Sequence, residues 1–221
     1  MNVIDNPGIQ ALLADLGIDL QLPAGVNVAP TESLTLLRAG ENGITASAAR
    51  WWLTPSWAPA VEQKYAMFNA RAETLAKSRA YKKPFASQRG IVPVSSFIEW
   101  RAEEGVKQPW LISNEARALA LAALWDVWHG EGEALLSCTL VTTAAADSFA
   151  PWHHRMPVVL CADECQRWLD NSHRIDAEDP LFRPGLKHDW LLRPLDRAVN
   201  NARNKSPELM RGLAEPLRLA S

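Results

Sequence analysis

Apolar residues recur with a helical period near the start of the chain. Ile9, Leu12, Leu13 and Leu16 share one face, Asn6 suits an N-cap, Pro7 suits the first helical position, and Gly17 ends the run. Beyond it the pattern shortens. Residues 26–53 read as short β-segments broken by Pro and Gly, and further strands are predicted over 91–100, 110–113, 119–125, 135–142 and 157–161. Helical patterning returns over 162–169 and 207–213. Many strands at close spacing with few strand–helix–strand units predict an α+β fold of mostly antiparallel β-sheets, open and barrel-like, with flanking helices. No repeat, low-complexity tract or Gly/Ser linker divides the chain, so residues 1–221 are expected to form a single domain.

Composition narrows the function classes. Hydrophobic residues make 48% and charged residues 22% of 221, which suits a packed globule and excludes a disordered chain. No apolar run approaches the roughly 18 residues of a membrane span. The opening MNVIDNPG has neither a basic start nor an apolar stretch, and three cysteines suit a reducing compartment, so a soluble cytoplasmic protein is expected. Net charge is −2, so any nucleic-acid site has to be a local patch. Residues 64–89 offer one: Lys64, Arg71, Lys77, Arg79, Lys82, Lys83 and Arg89 against the single acid Glu73. A solvated helix face reads equally well from charge alone. Ten Trp against two Tyr and five Phe add side chains suited to cores and to stacking surfaces.

Four stretches carry candidate chemistry. Asn69, Arg71 and Glu73 alternate as on one face of a strand, with an amide and a guanidinium fork suited to phosphate or carboxylate, or with a plain surface Arg71–Glu73 pair. Glu99 sits between apolar and aromatic neighbours in Ser96-Phe97-Ile98-Glu99-Trp100, where burial would raise a carboxyl pKa toward general acid–base use, or where an edge strand would turn the acid to water. Trp152-His153-His154-Arg155-Met156-Pro157 makes a rigid polar entrance to a strand, with imidazoles that exchange protons near neutral pH. Asn27-Val28-Ala29-Pro30-Thr31 and residues 50–57, with Trp51, Trp52 and Trp57, offer a Pro/Trp shelf for unpaired bases or a hydrophobic corner.

Two other readings are weak. His153, His154, Cys161 and Cys165 suggest zinc, but the cysteine spacing is not the usual one and no second pair exists, so no metal is expected. Cys138 as a hydrolase nucleophile with His153 and Asn69 competes with a buried small hydrophobe inside a β-patterned run.

Taken together and in order, these segments resemble the SOS-response-associated peptidase (SRAP) family. The matching pieces are Asn27 to Thr31, Trp51 to Trp57, Asn69-Ala70-Arg71-Ala72-Glu73, Phe97 to Trp100, Thr142 to Ala146, His153 to Pro157 and Val199-Asn200-Asn201-Ala202-Arg203-Asn204, spread over essentially the whole chain. The resemblance implies binding of single-stranded DNA at abasic sites. It further implies capture of the sugar aldehyde as a thiazolidine by a cysteine left at the N-terminus when the initiator Met is removed. Under that resemblance His153 is the acid/base at the sugar oxygen, Glu99 moves protons, and Asn69 orients the lesion. Arg71 holds a flanking phosphate, and Trp57 and Trp100 wedge and stack on bases, with Asn27 and Pro30 nearby. No cofactor, no membrane partner and a monomeric state are expected.

The sequence departs from the family at two places. The family opens Met-Cys-Gly-Arg-aromatic, whereas position 2 here is Asn2, and the stretch from Asn2 resembles the family's segment just after that opening. An N-terminal Met-Cys-Gly-Arg segment missing from this sequence is the expectation, with natural loss as the alternative. The internal Cys138, Cys161 and Cys165 have no free α-amine and cannot close the ring. A non-covalent single-stranded-DNA-binding module is the competing function. Trp52 stands where the family commonly has Gly.

Overall fold

A computed structural model describes residues 1–3, 7–41, 43–61, 64–103, 105–130 and 132–221. The elements in chain order are α1 (Pro7–Asp15), β1 (Ser33–Gly40), β2 (Gly43–Trp51), β3 (Asn69–Arg71), α2 (Lys82–Ser87), β4 (Arg89–Val94), β5 (Ser96–Glu103) and β6 (Val106–Ser113). They continue as β7 (Leu119–Trp128), β8 (Leu135–Ala144), β9 (Arg155–Pro157), β10 (Val159–Leu160), α3 (Ala162–Leu169), β11 (Trp190–Pro194) and β12 (Leu217–Leu219). Short 3₁₀ turns lie at Ala72–Thr74, Pro180–Phe182, Arg197–Asn200 and Pro207–Met210. The α+β class and the flanking helices are as the pattern predicts.

The barrel is closed rather than open. β7, β4, β1, β2 and β8 pair in series, and β8 pairs back to β7. Cys138 sits on the seam: it registers with Trp51 in parallel and with Trp125 in antiparallel. Closure removes free edges that an open sheet would leave, but no local pattern encodes which strand meets β8. β10 and β3 extend the barrel sheet, β9 adds to β8, and β12-β11-β6-β5 form a second sheet. Phe97, Trp110, Trp190 and Leu192 of the second sheet pack in one hydrophobic cluster with Leu36, Val92, Leu121 and Leu140 of the barrel.

Three predicted elements change. The run predicted as one strand over 91–100 is two, β4 in the barrel and β5 in the second sheet, with the turn at Ser95. Ser95 donates its N–H (2.9 Å) and its hydroxyl (3.1 Å) to the Asn2 carbonyl, which fixes the corner. Apolar residues on both sides of Ser95-Ser96 hide such a change of sheet, because both halves are buried. The helix predicted over 207–213 is only the 3₁₀ turn Pro207–Met210. Glu73 is not on the strand with Asn69 and Arg71, since the chain turns into a 3₁₀ helix at Ala72. Asn6, expected as the first helix's cap, lies outside the described residues.

Arg89 leaves the basic surface segment. Its side chain is buried, and its guanidinium donates to the carbonyls of Phe85, Ala86, Trp168, Asp170 and His173. The two other core features of note are thiols. Cys138 is fully buried in the barrel cluster, and burial pushes its thiol up to about 12; Cys165 is pushed up to about 12 by burial and by Glu164. A thiol of that kind is a poor nucleophile near neutral pH. In a maleimide time course on the native protein at pH 7, Cys138 is expected to react much more slowly than free cysteine. Labelling of Cys138 as fast as free cysteine would restore the hydrolase reading.

Candidate functional site

The alternation predicted for Asn69, Arg71 and Glu73 holds for the first two only. In β3 the side chain of Ala70 is buried while Asn69 and Arg71 are exposed on the other face. β3 pairs in parallel with β8, placing Asn69 beside Leu140 and Arg71 beside Thr142. β9 pairs with the end of β8, so Arg155 lies opposite Ala144 and Pro157 opposite Thr142. β5 supplies Glu99, half-buried, while its neighbour Trp100 points to the opposite, exposed side. These strand ends surround a cavity of about 300 Å³ lined by Met1, Phe68, Asn69, Arg71, Glu99, Thr142, His153, His154 and Arg155, among others.

Within it, His153 Nδ1 lies 2.8 Å from the Arg155 carbonyl and 4.0 Å from Glu99 Oε2. The Arg155 N–H is also 3.2 Å from Nδ1, but the closer carbonyl has no hydrogen to offer, so we assign the proton to Nδ1. The neutral ring then has its lone pair on Nε2, which makes no hydrogen bond among the described residues. Burial raises the Glu99 carboxyl above the usual carboxylate range, and the nearby His153, the Trp100 N–H and the chain's terminal amine only partly offset it. The Met1 amine donates to the Val28 carbonyl at 2.8 Å, and burial with the Lys205 charge lowers it to about 5, against pulls from Glu32 and Glu99.

Arg155 has a structural job. It clasps both oxygens of Glu73 at 2.6 and 3.0 Å and donates to the Thr142 carbonyl at 2.7 Å. Glu73 is therefore paired with Arg155, not with Arg71, and Arg155 holds its carboxyl below the usual range. Arg71, freed of that acid, makes no hydrogen bond or ion pair with its guanidinium among the described residues. The cluster around His153 marked Arg155 as polar; only the fold shows its partner, 82 residues away in sequence.

The other predicted residues, Asn27, Pro30, Trp57 and Trp100, do not line the cavity. Asn27 is buried in a left-handed backbone (φ 51°), and its amide nitrogen lies 2.9 Å from the Val199 carbonyl and 3.2 Å from those of Asn201 and Asn204. Its Nδ2 donates to those three carbonyls, which ties the 27–31 loop to the 199–204 segment. Pro30, half-buried, belongs to the same loop. Trp100 is 39% exposed and donates to Asn200 Oδ1 at 2.8 Å; Trp57 is 48% exposed with the Arg79 guanidinium 4.0 Å from its ring centre. Sequence reading missed Met1 as a lining residue. It also missed Asn2, wholly buried, which receives the Asn27 N–H at 2.8 Å and donates to Ser96 Oγ at 3.1 Å. No local signal marks either residue.

The four residues weighed for zinc do not meet. His153 and His154 line this cavity, Cys161 lines another with His188, and Cys165 is core. Among the described residues no group of three or more His, Cys, Asp or Glu is placed to hold a metal ion, and no helix is long and apolar enough to cross a membrane.

Residues 10–202 match the family described as SOS response associated peptidase (SRAP). The chain is 35% identical over 210 residues to the abasic site processing protein YoqW of Bacillus subtilis (strain 168), covering 90% of this chain and 93% of that one. It is 31% identical over 189 residues to the abasic site processing protein HMCES of Xenopus tropicalis, covering 74% of this chain and 56% of the relative. A crystal structure of a protein from Bacteroides thetaiotaomicron superposes with a TM-score of 0.77 at 20% identity, covering 96% and 99% of the two chains, a likeness of fold. The chain belongs to the SOS response associated peptidase (SRAP) family.

Proposed function

We propose that the protein processes abasic sites in single-stranded DNA, and that the cavity around Asn69, Glu99 and His153 is where the sugar is captured. The observation that carries this reading is the convergence of those three side chains with the Met1 end of the chain on one cavity. The names of the relatives YoqW and HMCES support it.

The sugar dictates the chemistry. An abasic deoxyribose is mostly a closed hemiacetal, and opening it to the aldehyde moves one proton onto the ring oxygen and one off the hydroxyl. His153, with Nε2 unpartnered among the described residues, serves at the ring oxygen. Glu99, whose carboxyl is raised above its ordinary value by burial, passes protons between attacking groups and carbinol. Asn69 orients the sugar, and Arg71 holds a neighbouring phosphate. Trp57 and Trp100 stack on flanking bases beside the loop of Asn27 and Pro30. In the covalent route an N-terminal cysteine supplies both nucleophiles. Its amine and thiol form C–N and C–S bonds to the aldehyde carbon, and the carbonyl oxygen leaves as water. Removal of an initiator Met ahead of that cysteine is the associated peptidase step. This sequence has Asn2 and no cysteine at its second position, so the covalent route applies to a chain that carries a Met-Cys-Gly-Arg opening ahead of Asn2.

The test compares two proteins on single-stranded DNA with one abasic site: this chain, and the chain with Met-Cys-Gly-Arg-Phe placed ahead of Asn2. Only the extended protein is expected to give a band that survives denaturing electrophoresis. If neither crosslinks while both bind, a non-covalent single-stranded-DNA-binding module becomes the better reading.

A further inference from the structure

The turn that carries Trp57 is held in an unusual manner. Pro55, Ser56, Trp57 and Ala58 form a β-turn closed by the Ala58 N–H on the Pro55 carbonyl at 2.9 Å. It lies against the β7–β8 hairpin, but side chains of the hairpin take the place of a backbone ladder. The Thr54 N–H donates to Ser137 Oγ at 2.8 Å, the Ser56 N–H to Asp126 Oδ2 at 2.7 Å, and Trp128 Nε1 to the Ala58 carbonyl at 2.7 Å. Alternate residues 54, 56 and 58 are thus each pinned by a different side chain. Asp126 and Ser137 are directly opposite each other in the hairpin register, and Trp128 is two residues on, so all three project from one face.

Two of these groups are buried polar side chains. Asp126 is 3% exposed and Ser137 is fully buried. Burying a carboxylate is costly unless its oxygens are filled, and Asp126 fills them with Ser56 N–H, Val127 N–H at 2.9 Å and Gln88 Nε2 at 3.2 Å. Lys83, 4.0 Å away, is largely in solvent and contributes weakly. With residues 54, 56 and 58 tied inward, Trp57 between two of the ties is left exposed.

We infer that Asp126, with Ser137, is a positioning residue for Trp57: the buried carboxylate fixes the turn so that the indole is presented, pre-oriented, to an unpaired base. This rests on the proposed role of Trp57 in stacking. Holding the ring in place before binding removes the ordering cost that a mobile turn would incur on contact.

The experiment uses a labelled single-stranded oligonucleotide with a tetrahydrofuran abasic analogue flanked by 2-aminopurine, whose fluorescence falls on stacking. Trp57→Ala, Asp126→Ala, Ser137→Ala and the double variant Trp57→Ala/Asp126→Ala are compared in the extended protein. Trp57→Ala and Asp126→Ala are each expected to raise Kd about tenfold and abolish the quench, and the double variant to be no worse than Trp57→Ala alone. In the crosslinking assay on natural abasic DNA, Asp126→Ala and Ser137→Ala are expected to keep the rate at saturating DNA within about twofold, because the proton-transfer groups are untouched. Ser137→Ala, a smaller change, carries the same expectation in weaker form and stands in if Asp126→Ala does not fold. If Trp57→Ala weakens binding but Asp126→Ala and Ser137→Ala keep full quench and affinity, the positioning role is overturned while the stacking reading stands. An additive double variant overturns it too. If Trp57→Ala itself binds and quenches normally, the stacking reading falls and takes this inference with it.

Discussion

Glu99→Gln in the extended protein is expected to slow capture of an abasic site by about 10²–10⁴-fold while making the fold more stable at neutral pH. The two effects have one cause. Burial raises the Glu99 carboxyl, so the ionised form is disfavoured in the native state relative to the unfolded chain. A carboxyl whose folded value lies above its unfolded value costs no stability below the unfolded value, where both states are protonated. The cost grows as pH rises through the folded value, because the unfolded chain then gives up its proton more readily. The substituted amide keeps the shape and never ionises. The stability gain of Glu99→Gln is therefore expected at pH 7 and absent near pH 3, read from urea midpoints at the two values. The rate loss is read from single-turnover gels across pH, where the limb belonging to the carboxyl disappears. His153→Gln is expected to show a similar rate loss without the stability gain. A Glu99→Gln protein that crosslinks at the full rate would remove Glu99 from the proton-transfer scheme.

Arg89→Met is expected to be the most destabilising single change in the barrel, by about 4 kcal/mol or more, a fall in Tm on the order of 10 °C. Arg89 is 1% exposed, and no acid side chain is paired with it among the described residues. Its charge is met instead by carbonyls at the ends of two helices: Phe85 and Ala86 in the last turn of α2, and Trp168 and Asp170 where α3 stops, with His173 just beyond. The last carbonyls of a helix lack intrahelical partners and carry the negative end of its dipole, so a cation there satisfies both deficits at once. Met fills most of the volume but leaves several buried acceptors without a donor, at roughly 1–3 kcal/mol each, moderated by whatever water enters. Arg89→Lys has fewer donors and no planar fork, so it is expected to recover only part of the loss. Thermal melts of the three proteins check this. Equal stability of the wild type and Arg89→Met would mean that the carbonyls find other partners.

The legible and illegible parts of this protein divide along a physical line. Period alone placed α1, α3 and most strands, because an amphipathic stripe is local. Alternation put Asn69 and Arg71 on one face, and the apolar setting of Glu99 foretold its raised carboxyl. The order of short motifs, each weak by itself, carried the family. Other features depend on which distant segments touch. Cys138 reads as a strand residue, and only pairing with both Trp51 and Trp125 makes it the closing seam. Arg89 counted as surface charge until two helix ends converged on it. Glu73 had Arg71 as its sequence neighbour, yet Arg155 is the partner that β9 delivers. Asn27 looked free to contact a ligand, and its amide is taken by a segment more than 170 residues away. Local pattern set most of the elements, the faces they bury and the chemical types at the cavity. Tertiary structure decided which polar groups are consumed holding the fold and which are left for a ligand, because hydrogen bonds saturate and their partners are chosen in space.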